Sequence, residues 1–369
     1  MVADSEHDAN MLYAVGMFVP DPFIFLRTRG RDYIALSDLE IDRARKQAPH
    51  CRVLSFSQYQ RKLQRDGVSR PGLADVVAAL LRERGIRRAV VPREFPCGLA
   101  AELQRYRVRL NPRTGSFFPE RERKSAAEVN KVSAALLMAE IGMAEGMRVL
   151  QAARIGKGRR LMYHNVPLTS EKLRAVIDCA ILQAGGLASH TIVAGGEQGC
   201  DPHEAGHGPL HAHEPIILDI FPRSQQTGYF GDITRTVVRG RASEAVRKLY
   251  DTVLQGQKLA FEKMRPGVPT AQVHRTVAEF FAQQGYRTGR RGGRMEGFFH
   301  GTGHGLGLEL HEAPRVGPNS VGQLQPGHVV TVEPGLYYPE LGGVRLEDVA
   351  LVTQARPRNL TRFEKVAEI

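Results

Sequence analysis

His300–Glu312 reads HGTGHGLGLELHE: three histidines, four glycines and two glutamates in thirteen positions. A glycine-rich stretch of this kind can cradle a phosphate on its backbone N–H groups, bring imidazoles close to a metal, or simply turn. The glycines do not choose between these. The choice rests on the partners the stretch would need elsewhere in the chain.

Working outward, four β-rich stretches carry an acid where a buried strand is apolar: Asp219 in IILDIF, Asp232 in FGDIT, Glu333 in VTVEPG and Glu347 in VRLEDV. The segments EPIILDIF (214–221) and FGDITRTVV (230–238) precede the histidines, while HVVTVEPGLYY (328–338) and GVRLEDVALVT (343–353) follow them. Two hairpin-like pairs of strands therefore flank the stretch. Taken singly, each acid also reads as a surface residue on an edge strand, or as the partner of Arg235 or Arg345. Together they read differently, because a buried carboxylate without a partner is costly or titrates to neutrality. Carboxylates converging on one point repel unless divalent cations neutralise them. An oxygen-rich site with one imidazole suits manganese, cobalt or zinc, and a metal pair about 3.5–4 Å apart is the usual use of so many carboxylates.

The order Asp219, Asp232, His304, Glu333, Glu347, in the contexts LDIF, GDITRT, GTGHGLG, VEPGLY and GVRLED, resembles the M24 metallopeptidases of the pita-bread fold. Within that family it is most similar to the Xaa-Pro aminopeptidase and prolidase branch. The resemblance implies an α+β catalytic domain over 119–369, preceded by a smaller α/β domain over 1–118. It implies two divalent ions, manganese foremost, with cobalt or zinc as the others. Asp219 and Asp232 would bind the pair, Asp232 and Glu347 would bridge it, and His304 and Glu333 would hold one ion. A water or hydroxide between the ions would attack, with Glu333 handling its proton. His203 (in GCDPH), His300 and His311 (in LELHE) match positions that bind substrate, with His311 or His203 donating to the oxyanion. Arg345 matches an arginine that supports the site. Arg315, in HEAPR, matches one that grips the free carboxylate of an Xaa-Pro dipeptide in prolidase-like members. The implied activity is hydrolysis of the bond between an N-terminal residue and proline in Xaa-Pro peptides, as aminopeptidase or dipeptidase, by a cytoplasmic homodimer.

Two features depart from the family pattern. Phe221 stands two positions after the first aspartate, where a small residue is usual, and the interval from Asp219 to Asp232 is longer than the common one, through PRSQQTGYF. Among the histidines of HEAGHGPLHAHE (203–214), His207, His211 and His213 resemble no family ligand and leave an accessory metal site or an entrance loop as alternatives. A non-catalytic binding protein on the same fold and a creatinase-like amidinohydrolase are the other functional classes; a full ligand set argues against both.

The rest of the chain agrees with this reading. Its 369 residues suit two domains, and 42% hydrophobic with 24% charged residues is globular composition. MVADSEHDAN carries no secretory signal pattern, and no apolar run reaches the length of a membrane span. Cys51, Cys97, Cys179 and Cys200 form no CxxC pair, as expected of reduced thiols. The net charge of +12 raises nucleic acid as a partner, but RIGKGRR (154–160) and RTGRRGGR (287–294) lack interleaved aromatics and read as a solvated basic face. Strands are expected at 32–36, 51–56 and 87–92, and an amphipathic helix on the stripe Leu73, Val76, Val77, Leu80, Leu81. NPRTGSFFPERERKS (111–125) marks the domain boundary. Ser125 and Glu128 open a long helix to about residue 150, with further helices near 170–184, 243–264 and 270–284.

Overall fold

The apolar stripe at Leu73–Leu81 folds as the helix Leu73–Arg82, burying Val76, Val77, Leu80 and Leu81. A computed structural model describes residues 1–369, which divide into two compact units, Met1–Pro119 and Glu120–Ile369. In the first unit, Phe23–Thr28 and Arg31–Leu36 pair antiparallel, and the latter pairs in parallel with Cys51–Ser55. The chain leaves the helix through Gly85, at φ +65°, and enters Arg88–Val91, which pairs in parallel with Arg109–Pro112.

The second unit opens on the helix Ala126–Ala152. Its N-terminus is closed by a reciprocal cap in which the Ser125 hydroxyl accepts from Glu128 N and the Glu128 carboxylate accepts from Ser125 N. Gly142 and Gly146 let the helix Ser170–Gln183 come close; a Cβ on Gly142 would lie 2.7 Å from Ile181. The helices Glu244–Lys263 and Thr270–Gln283 complete the layer and bury Leu249, Tyr250, Val253, Val273, Val277 and Phe281 against the sheet core.

Two sheets carry the acids. Pro215–Ile220 is the centre of a three-stranded antiparallel sheet, between Ile192–Gly195 and Ile233–Val238. The strand Ile192–Gly195 was not among those expected; its four residues are too few to show a period. The second sheet runs in the order Glu312–Val316, Gly303–Gly305, Val329–Val332, Asp348–Leu351 and Arg358–Asn359.

The long strands expected at 328–338 and 343–353 are each interrupted. Val329–Val332 pairs with Asp348–Leu351, and Gly335–Tyr338 pairs separately with Gly342–Arg345. Between the two ladders lie Glu333-Pro334 and Leu346-Glu347. Pro334 has no N–H to give to a ladder, so the pairing where the two glutamates sit is reduced to one long bond from Leu346 N to Pro334 O (3.4 Å).

Candidate metal centre

Each acid reaches the centre by a different backbone device. Asp219 lies within its strand, opposite Thr234, and Asp232 immediately precedes the strand Ile233–Val238. Glu333 and Glu347 project from the two strand breaks. Their amides are fixed across the site, Glu333 N donating to Thr302 O (2.8 Å) and Glu347 N to Thr234 O (3.0 Å). His304 sits on the short strand Gly303–Gly305, paired with Arg315 across a β-bulge. Gly303 is required there: a Cβ would fall 1.9 Å from Thr331 O.

The ligating atoms of Asp232, His304 and Glu347 all lie within 4.8 Å of one another, and all three residues are buried. His304 Nδ1 is 3.1 Å from Gly305 O, a contact that fixes the proton on Nδ1. Nε2 therefore turns a lone pair towards Glu333 Oε1 (3.3 Å) and Asp232 Oδ2 (3.8 Å). Burial, with the charge of His311, holds His304 down at about 3, so the ring is neutral. Burial and neighbouring carboxylates raise Asp232 and Glu347 well above the usual range. Burial also pushes Glu333 up to about 7, against the lowering pull of Arg345.

Lone pairs facing lone pairs in a buried site call for a cation. Asp219 makes the same point: Oδ2 accepts from Arg345 Nη2 at 2.8 Å, but Oδ1 is buried with no hydrogen-bond partner. A hard, oxygen-rich donor set with one imidazole fits divalent ions such as manganese, cobalt or zinc. The residues present fit such ions.

Around the acids is a cavity of about 1170 Å³, lined by His203, His300, His311, Arg315, Phe221, His304 and the four acids themselves. His203 and His311 are exposed and make no side-chain hydrogen bond; the His311 ring stands edge-on to His304, centroids 4.3 Å apart. Arg315 is exposed, without a partner, and lies opposite His304 in the ladder, which places both side chains on one face of the sheet. Phe221, two residues beyond Asp219, joins the same wall.

His300 and Arg345 are placed differently from a free substrate contact. His300 Nδ1 is 2.7 Å from Gly301 O and Nε2 is 2.8 Å from the Tyr337 hydroxyl. Arg345, 3% exposed, donates to that hydroxyl (3.0 Å) as well as to Asp219. A continuous chain Asp219–Arg345–Tyr337–His300 results. His207, His211 and His213 do not converge: they approach Glu204, Glu214 and the backbone of Arg241 respectively.

Residues 124–354, more than half of the chain, match metallopeptidase family M24. The chain belongs to metallopeptidase family M24. A Xaa-Pro dipeptidase of Pyrococcus furiosus is 36% identical over 179 residues, 48% of this chain and 49% of that protein, so the match spans about half of the curated relative. Among solved structures, a Xaa-Pro dipeptidase from Bacillus anthracis is similar at TM-score 0.83 and 22% identity, over 98% of this chain and 93% of that one. An X-Pro aminopeptidase from Thermotoga maritima is similar at TM-score 0.82 and 20% identity, over 100% and 97%. These likenesses establish the pita-bread fold, and membership of M24 implies divalent metal ions.

Sequence reasoning passed over Tyr337, Thr234 and Thr331 in this M24 site. Thr234 donates to Glu347 Oε2 (2.8 Å), and Thr331 links His304 N to Glu333 Oε1. Both threonines stand two residues from a ligand, on its face of a strand, and that spacing was the available signal. Tyr337 carries no such mark, since an aromatic residue in a strand reads as core.

Proposed function

We propose that this M24 chain is a metal-dependent peptidase that hydrolyses the bond between an N-terminal residue and proline. The observation that carries the reading is the convergence of Asp232, His304 and Glu347, with Glu333 and Asp219 beside them, at the floor of a cavity large enough for a peptide. Those five residues would hold two divalent ions. When bound, the ions would supply a water whose pKa is lowered to about 7 and would polarise the scissile carbonyl.

The chain's own residues do the rest. Glu333 takes the proton at its carboxylate and returns it to the departing prolyl nitrogen. His311 and His203, whose rings have no other partner, donate to the oxyanion. His300 acts on the pocket wall through Tyr337, and Arg345 holds Asp219 in register. Arg315 grips the substrate's free carboxylate with its guanidinium, which makes an Xaa-Pro dipeptide the favoured substrate. The cavity volume favours a second reading: it exceeds the roughly 300–1,000 Å³ of pockets for drug-sized ligands, leaving room for longer peptides and an aminopeptidase.

Metal analysis followed by manganese-dependent cleavage of Ala-Pro against Ala-Pro-Ala tests both readings. Ala-Pro should be cut, and Arg315→Ala should raise its KM about 10–100-fold, the loss of a charge-assisted hydrogen bond, with little effect on Ala-Pro-Ala. Preferential cleavage of the tripeptide would establish the second reading. A protein that binds no divalent metal and cuts neither peptide with manganese, cobalt or zinc is not the enzyme proposed. Manganese as native ion, a homodimer and a cytoplasmic location complete the proposal. They rest on the family resemblance and, for the compartment, on four unpaired cysteines. Light scattering tests the dimer.

A further inference from the structure

The helix Glu244–Lys263 turns an apolar stripe to the core, Val246, Leu249, Tyr250, Val253 and Ala260, and two polar side chains are buried with it, Thr252 and Gln257. Thr252 bonds back to Lys248 O within the helix, whereas Gln257, 2% exposed, reaches out of it. Its amide nitrogen donates to Val332 O at 2.9 Å and to Leu346 O at 3.0 Å. Val332 immediately precedes Glu333, and Leu346 immediately precedes Glu347. These two carbonyls belong to the strand breaks, where the ladder Val329–Val332 with Asp348–Leu351 stops before Gly335–Tyr338 with Gly342–Arg345 begins.

A carboxamide has two N–H donors, and here each serves one of the two breaks. A buried carbonyl left without a donor costs free energy comparable to a lost hydrogen bond. Leu346 faces Pro334, to whose carbonyl its N–H donates, and a proline has no N–H to return, so the Leu346 carbonyl depends on a donor from outside the ladder. An aliphatic residue would suit the stripe better and would remove the one side chain that bonds both strands at the break. Carboxylate ligands are themselves held by surrounding hydrogen bonds, and the loss of such support typically weakens metal affinity.

We propose that Gln257 is a positioning residue for the metal centre, tying the breaks that present Glu333 and Glu347 into one rigid unit so that the two carboxylates keep a fixed separation. The proposal rests on the reading of these glutamates as metal ligands. It adds that their spacing is set from behind the sheet, by a residue that touches neither metal nor substrate.

The test compares Gln257→Leu with Val253→Ala, a cavity-forming change one turn away on the same stripe that removes no hydrogen bond from either break. Manganese affinity is measured by calorimetry on chelator-treated protein, alongside urea unfolding of the metal-free forms. Gln257→Leu should lose about 10–100-fold in manganese affinity, whereas Val253→Ala should lose stability while keeping wild-type affinity. With Ala-Pro, Gln257→Leu should lower kcat and leave KM within a factor of about two, since Arg315 and the pocket wall are untouched. Equal affinity in Gln257→Leu and wild type, or equal loss in both variants, overturns the positioning role. A wild-type protein that binds no divalent ion overturns the functional reading as well, so the two failures are distinguishable. Should Gln257→Leu not fold, wild-type protein labelled with 15N-glutamine decides: both Gln257 amide protons should exchange slowly and shift on zinc addition. Fast exchange of either proton, or no shift on zinc, overturns the proposal.

Discussion

Glu333→Gln in the metal-free protein isolates the electrostatic cost of building the centre. Glu333 is pushed from 4.5 up to about 7, chiefly by burial, with its side chain 19% exposed. A carboxyl group raised in this way binds its proton in the folded state over a pH range in which the unfolded chain has released it. Folding is then opposed as pH rises: stability is lost between about 4.5 and about 7 and no further loss follows above that. At about 1.36 kcal/mol per pH unit the interval is worth about 3 kcal/mol. Glutamine mimics the protonated carboxyl and carries no such penalty. The buried neutral histidines His300 and His304, held at about 3, and His328, held at about 4, have the opposite dependence, but they are present in both proteins and drop out of the difference. Asp232 and Glu347, which the Glu333 charge also raises, are relieved by the substitution and add to the difference in the same direction. Urea unfolding in chelator at pH 4.5, 5.5, 6.5 and 7.5 should therefore give nearly equal stabilities at the acid end and Glu333→Gln the more stable by about 3 kcal/mol at pH 7.5. Manganese at a thousand times its Kd should reverse the order, since at that excess it stabilises the form that binds it by about 4.1 kcal/mol. A difference independent of pH, or a metal-free wild type more stable than the variant at pH 7.5, would refute the reasoning.

Two further substitutions test the supports around the centre. Arg345→Met removes the donor to Asp219 and to Tyr337; manganese affinity, read by calorimetry, should fall about 10–100-fold, and unchanged affinity would count against the arginine's role. Lys124, its side chain 1% exposed, pairs with Glu312, whose other oxygen accepts from Arg121 at 2.9 Å. Lys124→Met breaks a buried pair and should destabilise the protein by about 3 kcal/mol, the low end for such breaks because Arg121 remains; a loss under about 1 kcal/mol on urea unfolding would show the pair to be dispensable.

The four acids and the imidazole of the centre were legible because each breaks a local rule. Asp219, Asp232, Glu333 and Glu347 interrupt apolar strands, and His304 stands among glycines, so the sequence marks them without knowledge of the fold. The elements that carry them were legible for the same reason in reverse: the stripe at Leu73–Leu81 and the cap at Ser125–Glu128 obey their rules, and they fold as the helices Leu73–Arg82 and Ala126–Ala152. What holds the acids in place was not legible from local pattern, Arg345 being marked through the family resemblance, because its residues are inconspicuous locally and meaningful only across long separations. Arg345 and Asp219 are 126 positions apart, and Gln257 lies 75 and 89 positions from the carbonyls it serves. Nor does a period-2 pattern reveal that the strands at 328–338 and 343–353 must break, although Pro334 hints at it. Glu333 keeps the face of Thr331, whose hydroxyl donates to it, and Glu347 accepts from Thr234 on the neighbouring sheet. Pro334 leaves the Leu346 carbonyl opposite it without a ladder donor, and Gln257 on the helix behind supplies one. The interruption that sequence patterning smooths over is therefore filled by a side chain that no local pattern connects to it.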